Sequence, residues 1–510
     1  MKTRCLAGAM AMLLLIAGGA HATVTPASGD KGNQTSEAEV TDAANMAQRA
    51  FDDIRHNDDK TAGPELDKAL HAPGFAGLPE EVRSQTIYLA GLIAWETGKY
   101  DKAHGFAVRA THLPEADNTA WMLRYSSAFA IKNYGDAAYS LTMFTQRWPG
   151  KLDDVLPDAV VQLHYQLKRA HEDETDRLML DELFDAGWKN KGIEPSNLWR
   201  DLALLHLQRG EVARATKVAL RVTSGQIALS MRVDKRFDAI TLAHPDAFDV
   251  DRLIAKEIAD TKAQIAAHPD QLQPITDLQE LFLLTGQLRN VLSISDAIVA
   301  RAEKREGAKA YTDFSEQYNW ILDYRSRAFK RQGQWDKAIA TEVLAARIPE
   351  QGGINVSQSI NLGELYAELD QPDNATNAII QLGDVSPFGQ MQMEGVKLRA
   401  AVDRHDEQAA SAAMAYLRAH RAEDLDTWQD ALLLRGQLDE AAALLIERLE
   451  NPEWRTDALV DVQHYADVAR TPMEKTIHDR WNIITARPDV QAAVQKVGRI
   501  ETFAIAPALR

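Results

Sequence analysis

The sequence contains almost no cysteine. Its single thiol, Cys5, lies among the first residues, and residues 23–510 have none. Disulfides are therefore excluded from that long part of the chain, whose stability must come from a buried core. The same scarcity excludes a cysteine nucleophile there.

Long apolar runs are equally scarce. Residues 6–17 form one such run, which follows Lys2 and Arg4 and precedes the small residues of Ala20-His21-Ala22. This three-part order is typical of a secretory signal peptide, and the run is short for a membrane span. We therefore predict a signal peptide at residues 1–22, with cleavage after Ala22 and a periplasmic location. An N-terminal membrane anchor is the alternative.

The mature part predicted by this reading begins with a leader. Residues 23–40 are rich in Ser, Thr and Gly and favour a flexible segment before the first helix. No later stretch approaches the roughly 18 apolar residues that a transmembrane helix needs. We expect no transmembrane segment in the mature chain.

Positive charge is in short supply as well. The chain has 57 Lys and Arg against 74 Asp and Glu, for a formal net charge of −17. Phosphate backbones and anionic lipids attract basic proteins. A chain this acidic is therefore poorly suited to either partner. We predict no nucleic-acid partner.

The residues that are abundant favour helices. Beyond residue 40, apolar side chains return every three or four positions among Ala, Leu, Glu, Gln and Arg. Glycines such as Gly98, Gly210 and Gly333 follow these segments and are typical of helix ends. Strict alternation that would indicate a sheet is missing, and only residues 500–509 fit an extended conformation. The sequence predicts an all-α fold.

The turns share one residue order. Residues 98–103, 210–215, 333–338 and 436–441 each begin with Gly, continue with an apolar residue at the third position and end with Ala. In this order the glycine ends one helix in a left-handed cap and the apolar residue covers the turn. The alanine then lies where the next helix crosses the first closely.

The spacing between helices repeats too. Ala375, Leu382 and Pro387 follow Gly363 by 12, 19 and 24 residues, and similar series start at Gly91 and Ser326. Ala103 and Ala137 are 34 residues apart, as are Ala375 and Ala409. With these glycines, alanines and intervals the chain resembles the tetratricopeptide repeat (TPR) family. The resemblance implies an α-solenoid of antiparallel helix pairs.

The repeat is degenerate in two places, between Ala137 and Ala215 and between Ala215 and Val291. We expect one irregular helical pair in each gap, at 154–170 with 175–188 and at 225–242 with 249–267. The predicted organisation is N-terminal repeats at 41–222 and C-terminal repeats at 223–452. A helical cap and tail follow at 453–510, with helices near 456–469, 473–485 and 489–497.

Motifs with chemical associations have simpler interpretations. The His-Pro-Asp tripeptides at 244–246 and 268–270 lie where helices are expected to start. The mixed His and acidic stretches at 171–174 and 405–407 put neighbouring residues on different helix faces, and no His-Glu-x-x-His pair exists. Since no Gly-x-Ser-x-Gly elbow is found either, we predict no catalytic residue, no metal and no cofactor.

The resemblance also implies where a ligand would lie. In TPR arrays it occupies the concave surface, whose inward positions bracket the small residue of each first helix. Around Ser326 and Gly363, with Asn361 at the same edge, these positions select Asp323, Arg327, Lys330, Arg331, Ile360, Asn361, Glu364, Ala367 and Glu368. The cations among them form a strip suited to a carboxylate or acidic segment of a peptide. The alternative is an ordinary solvated face, on which Asp323 and Arg327 form an i,i+4 pair.

The predicted function is therefore an exported scaffold or adaptor that binds a protein or peptide, without catalysis. One alternative is a polysaccharide-handling, envelope-assembly or export accessory factor, whose partner would be envelope glycan or export machinery. A hydrolase with an unrecognised site is the third. Exposed aromatic side chains in the groove would favour glycan, whereas mixed charges and asparagines would favour peptide.

Overall fold

The computed structural model describes residues 36–56, 58–114, 116–304, 307–350 and 352–507. In these ranges the named elements are α-helices and short 3-10 turns, with isolated bridges in place of strands, which confirms the all-α prediction. None of the described helices has the length and apolarity needed to cross a membrane. The predicted signal peptide and its cleavage after Ala22 lie outside the described residues.

The chain folds into two compact units that divide between Leu205 and His206, whereas the sequence placed the division after residue 222. In unit 1 the helices are α1 (Glu37–Arg55), α2 (Asp59–His71), α3 (Glu80–Glu96), α4 (Tyr100–Thr111), α5 (Asn118–Ala130), α6 (Tyr134–Arg147), α7 (Pro157–Arg169), α8 (Asp173–Asp185) and α9 (Ser196–Gln208), which ends in unit 2.

Helix α1 begins within the predicted leader, so the leader was drawn too long at that end. The Ser36 hydroxyl accepts a hydrogen bond from the Glu39 amide, and the Glu39 carboxylate accepts one from the Ser36 amide. This reciprocal cap satisfies donors that a helix start otherwise leaves open. The helix therefore starts at Glu37.

Unit 2 continues the series with α10 (Val212–Ala219), α11 (Gly225–Val233), α12 (Asp238–Thr241), α13 (Val250–Ala267), α14 (Gln273–Leu284), α15 (Leu288–Ala302), α16 (Phe314–Arg331), α17 (Trp335–Ala346), α18 (Val356–Glu368), α19 (Pro372–Ile379), α20 (Pro387–Asp403), α21 (Glu407–Ala419), α22 (Leu425–Leu434), α23 (Leu438–Glu450), α24 (Arg455–Asp461), α25 (Pro472–Thr485) and α26 (Pro488–Val497).

The turn glycines behave as their sequence context predicts. Gly98 and Gly333 have φ of 73° and 70°, in the left-handed region where a side chain would be strained. The amide after each donates back to the preceding helix, from Lys99 to the Ala94 carbonyl at 2.8 Å and from Gln334 to Phe329 at 2.9 Å. These bonds satisfy carbonyls at the helix end and turn the chain into the next helix.

The predicted close crossings are present as well. A Cβ atom on Gly363 would lie 3.1 Å from the Ile379 side chain, 3.2 Å from Val396 and 3.3 Å from the Ala375 carbonyl. At the equivalent position, the Ser326 hydroxyl donates to the Ala338 carbonyl at 2.9 Å. The spacing rule thus identifies residues at which paired helices touch.

The two degenerate gaps contain helices, but not all as expected. Helices α7, α8 and α13 lie close to the predicted bounds, whereas the helix expected over 225–242 is broken. Buried Asp234 ends α11, since its carboxylate accepts the Arg236 amide at 2.9 Å and pairs with the Arg236 guanidinium. An aspartate that bonds local amides in this way competes with helix continuation.

The C-terminal region of unit 2 differs most from the predicted cap. Helix α24 ends at Asp461, well before residue 469, and residues 464–466 then pair with an extended tail. The tail returns to the first helices of the unit, because the Arg499 amide donates to Val233 at 3.0 Å and the Ala506 amide to Leu284 at 2.8 Å. The helices predicted near 473–485 and 489–497 are confirmed as α25 and α26, and so is the extended conformation expected after residue 500. The tail, however, packs on α11 and α14 instead of only shielding a last repeat.

Candidate functional site

A cavity of about 760 Å³ opens inside unit 2. Its walls are the inward faces of α16, α18, α20 and α22, together with residues 460–470 and helix α25 of the returning C-terminal region. Seven of the nine positions selected for the binding groove line it, namely Asp323, Arg327, Lys330, Arg331, Asn361, Glu364 and Glu368, whereas Ile360 and Ala367 do not. Helix periodicity therefore identified side chains that share one space.

The first charged group in the cavity joins α16 to α18. Asp323 is 2% exposed, and its carboxylate accepts a hydrogen bond from Arg327 Nε at 2.7 Å and another from Asn361 Nδ2 at 2.9 Å. Burial opposes the charge of Arg327, but Asp323 raises its pKa above the usual value. The predicted i,i+4 pair therefore exists, and Asn361 extends it across the two helices.

Lys330 joins three helices. Its Nζ lies 2.6 Å from Glu368 Oε2 on α18 and 2.8 Å from Glu474 Oε1 on α25. Although burial alone would lower the pKa of Lys330, the two carboxylates raise it above its usual value. Burial raises the pKa of Glu368 to about 7 despite Lys330. At Glu474 burial acts in the same direction, but Lys330 and the Thr471 amide lower the pKa below its usual range.

The guanidinium of Arg331 forms hydrogen bonds with backbone carbonyl groups. Its Nη1 donates to the Leu283 carbonyl at 2.5 Å and its Nη2 to the Pro507 carbonyl at 3.3 Å. Burial, followed by repulsion from Arg327, lowers its pKa to about 10. Arg331 thus fastens the tail to α14, so the expectation of a cationic strip open to a peptide carboxylate is not met at this residue.

Arg399 on α20 is a lining residue that the sequence reasoning missed. Its guanidinium lies 3.1 Å from Glu364 and 3.6 Å from Asp430. The repeat spacing assigned the small residue of the second helix to Ala409, one position too early. Ala409 is exposed, whereas its neighbour Ala410 is buried. Counting back from Ala410 by the repeat interval makes Arg399 an inward position.

Glu342 on α17 is the second residue missed. It is 2% exposed, and its Oε1 is buried with no hydrogen-bond partner among the described residues. Burial raises the pKa of this carboxyl well above its usual range, Asp323 raises it further, and Arg327 partly offsets both. The prediction considered only first helices, and Glu342 reaches the cavity from a second helix.

The motifs set aside in the sequence occupy turns. His171 and His405 have φ of 55° and 54°, so they stand in the left-handed positions that glycine fills in other repeats. Across the described residues, no group of three or more His, Cys, Asp or Glu side chains is arranged to hold a metal ion. These histidines are therefore accounted for by the repeat geometry.

Comparisons with known proteins found similarity among solved structures alone. No model of a known protein family matches the sequence, and no curated protein matches it. Among solved structures, yeast Tom70 is 11% identical, with 89% of this chain and 99% of that chain covered and a TM-score of 0.30. The APC/C hetero-tetramer Cut9-Hcn1 is 12% identical, with 89% and 96% covered and a TM-score of 0.23.

The TPR domain of P58(IPK) is similar at 10% identity, with 80% of this chain and 100% of that chain covered and a TM-score of 0.20. These overlaps are small. The tetratricopeptide-like character of the chain is therefore carried by its own turn glycines, its buried crossing residues and its paired helices.

Proposed function

We propose that the chain is an exported scaffold or adaptor that binds a protein or peptide in the cavity of unit 2 and catalyses no reaction. The observation that carries the proposal is the cavity itself, about 760 Å³ in volume and lined by residues from successive repeats. Preformed cavities of this size with a few fixed polar groups are typical of ligand sites.

The fixed geometry of the lining supports binding. Lys330 lies between two carboxylates, and Arg399 lies between Glu364 and Asp430. Side chains held in this way lose little conformational freedom when a ligand arrives, which lowers the entropic cost of association. Phe388, 52% exposed on the cavity wall, adds an apolar contact.

The nature of the lining favours peptide over glycan. Ten Asp and Glu and five Lys and Arg line the cavity, with Asn361 and Asn482 among them. Only Phe388, Tyr465 and Trp481 are aromatic apart from the histidines. Mixed charges and amides match the many donors and acceptors of a polypeptide, whereas sugar rings are recognised by stacking on aromatic faces.

Affinity capture from envelope extracts of the native organism tests this proposal. Phe388→Glu places a charge on the cavity wall, and Tyr165→Glu makes the same change at a 53% exposed aromatic residue of unit 1. We expect the wild type and Tyr165→Glu to retain one protein partner that Phe388→Glu loses. Equal retention by both variants would reject the cavity as the binding surface, and recovery of glycan would indicate the polysaccharide-handling alternative.

Export is tested separately. A cleaved signal peptide predicts a protein that begins at Thr23 when its N-terminus is determined by mass spectrometry. It also predicts release with the periplasmic fraction. Retention of residues 1–22 in a protein that stays with membranes after high-salt and carbonate washing would establish the anchored alternative.

A further inference from the structure

The cavity of unit 2 has a surplus of acidic side chains. Ten Asp and Glu line it against five Lys and Arg. Carboxylates gathered in a cleft with protein walls concentrate a negative potential that attracts cations. The charge of the lining is therefore opposite in sign to the cationic strip expected from the first helices alone.

The cations of the lining already have partners within the chain. Lys330 pairs with Glu368 and Glu474, and Arg331 donates to two carbonyl oxygens. Arg399 lies between Glu364 and Asp430. An acidic ligand would have to displace these internal partners.

Glu342 provides a second and independent observation. It is 98% buried, it lines the cavity, and its Oε1 has no hydrogen-bond partner among the described residues. Asp323, its acidic neighbour across the cavity wall, already accepts bonds from Arg327 and Asn361. A buried carboxyl oxygen without a donor is disfavoured, so Glu342 is the group that a ligand donor would satisfy best.

We propose that the cavity binds an alkylammonium or guanidinium group whose N–H donors reach Glu342. The inference rests on the proposed binding function and specifies the chemistry of its partner. Leu365, Ile477 and Trp481, which also line the cavity, suit the methylene stem that carries such a group. A Lys or Arg side chain of a partner protein and a free polyamine share this chemistry.

Fluorescence anisotropy with the full chain tests the inference. The probes are a fluorescein-labelled peptide of alternating Gly and Lys, a matched Gly and Glu peptide, and unlabelled spermidine as competitor. We expect the Lys peptide to bind and the Glu peptide not to bind. Displacement by spermidine would identify the free amine as sufficient, and a lack of displacement would assign the site to a Lys-bearing polypeptide.

Glu342→Gln keeps the shape of the side chain and removes the carboxyl group, which a bound cation would stabilise in its ionised form. Loss of one charge-assisted hydrogen bond should weaken binding of the Lys peptide by about tenfold or more. Glu316→Gln, on the exposed surface of α16 outside the cavity, is the control and should bind as the wild type does. Unchanged affinity in Glu342→Gln, or equal binding of both peptides to the wild type, would overturn the inference.

A second variant covers the case in which Glu342→Gln fails to fold. Phe388→Lys places a cation on the cavity wall at an exposed residue and should repel the Lys peptide, whereas Tyr165→Lys should not. If Phe388→Lys binds the Lys peptide unchanged, the inference fails. A different outcome is that a partner protein is captured by the wild type and lost in Phe388→Glu, while the Lys peptide does not bind. This outcome would support the scaffold proposal and reject only the inference that the cavity binds a cationic group.

Discussion

Buried charge is handled differently in the two units. In unit 1, His164 on α7 lies between two carboxylates, with Nδ1 at 2.9 Å from Asp176 and Nε2 at 3.1 Å from Asp201. Lys168 adds a contact to Asp201 at 3.1 Å. In unit 2, acidic side chains surround a cavity, and Glu342 keeps an oxygen without a donor. In unit 1 the carboxylates are paired with a cation of the chain itself. In unit 2 the Glu342 oxygen lacks a donor among the described residues, and a ligand could supply one.

The largest expected effect comes from breaking the unit 1 cluster. His164→Ala would leave Asp176 and Asp201 buried without the imidazolium between them. Removing one partner of a buried ionic group costs about 3–5 kcal/mol. Urea denaturation together with hydrogen exchange of peptides from α7 to α9 should show this loss. His71→Ala, whose side chain is 74% exposed, is the control and should stay close to the wild type; a mild effect at His164 would contradict the comparison.

The pH dependence of unit 1 follows from the same cluster. Burial alone would lower the pKa of His164, but Asp176 and Asp201 raise it from 6.5 to about 9. A raised pKa contributes stability that is complete below pH 6.5 and lost as the pH rises to 9, for about 3 kcal/mol. Exchange protection of α7 to α9 should therefore fall over this interval in the wild type. A flat profile, or the same slope in His164→Ala, would assign it to other groups.

Lys330→Ala tests a place where unit 2 resembles unit 1, with a cation between two carboxylates. Without the ammonium, Glu368 and Glu474 face each other, which we expect to cost about 2–3 kcal/mol at pH 8. Because the pKa of Glu368 is already about 7, it is protonated at low pH, and the loss should shrink toward pH 5. Thermal melting at both pH values measures the difference, with Lys475→Ala on the outer face of α25 as control. An equal loss of stability at both pH values would contradict the role of Lys330 as the cation that separates Glu368 from Glu474.

The smallest effect is expected at Glu342. Glu342→Gln replaces a buried carboxyl group, one of whose oxygens has no hydrogen-bond donor among the described residues, by an amide of the same shape, so stability should stay within about 1 kcal/mol of the wild type or increase. Urea denaturation of the variant checks this. A loss as large as that of His164→Ala would mean that Glu342 is part of the internal charge network, and the contrast between the units would disappear.

The sequence was most informative where structure is local. The interval from Gly363 to Ala375 marks helices that touch, and helix periodicity placed Asp323, Arg327 and Lys330 on one face. The same logic failed at Arg399 because Ala409 and Ala410 are both small, and only burial distinguishes them. A one-residue shift in register moves every inward position around a helix by about 100°.

Contacts between residues far apart in the chain could not be predicted from the sequence. Lys330 contacts Glu474 and Arg331 contacts Pro507, which are set by the return of the tail and not by a repeat interval. His164 and Asp176 are 12 residues apart, the interval of the repeat itself, but they lie in a region without its marker residues. Pairing between distant segments depends on packing, which periodicity does not encode.

The returning tail has a consequence for the order of folding. Each helix pair of an array contacts mainly its neighbours and is able to form as soon as it is made. Arg499 and the Arg232 carbonyl that it contacts are separated by 267 positions, so at 5–20 residues per second Arg232 waits roughly 10–50 s for Arg499 to be made. Until then α11 and α14 expose the apolar surface that the tail will cover. During synthesis unit 2 therefore stays incomplete for far longer than its local helices would require.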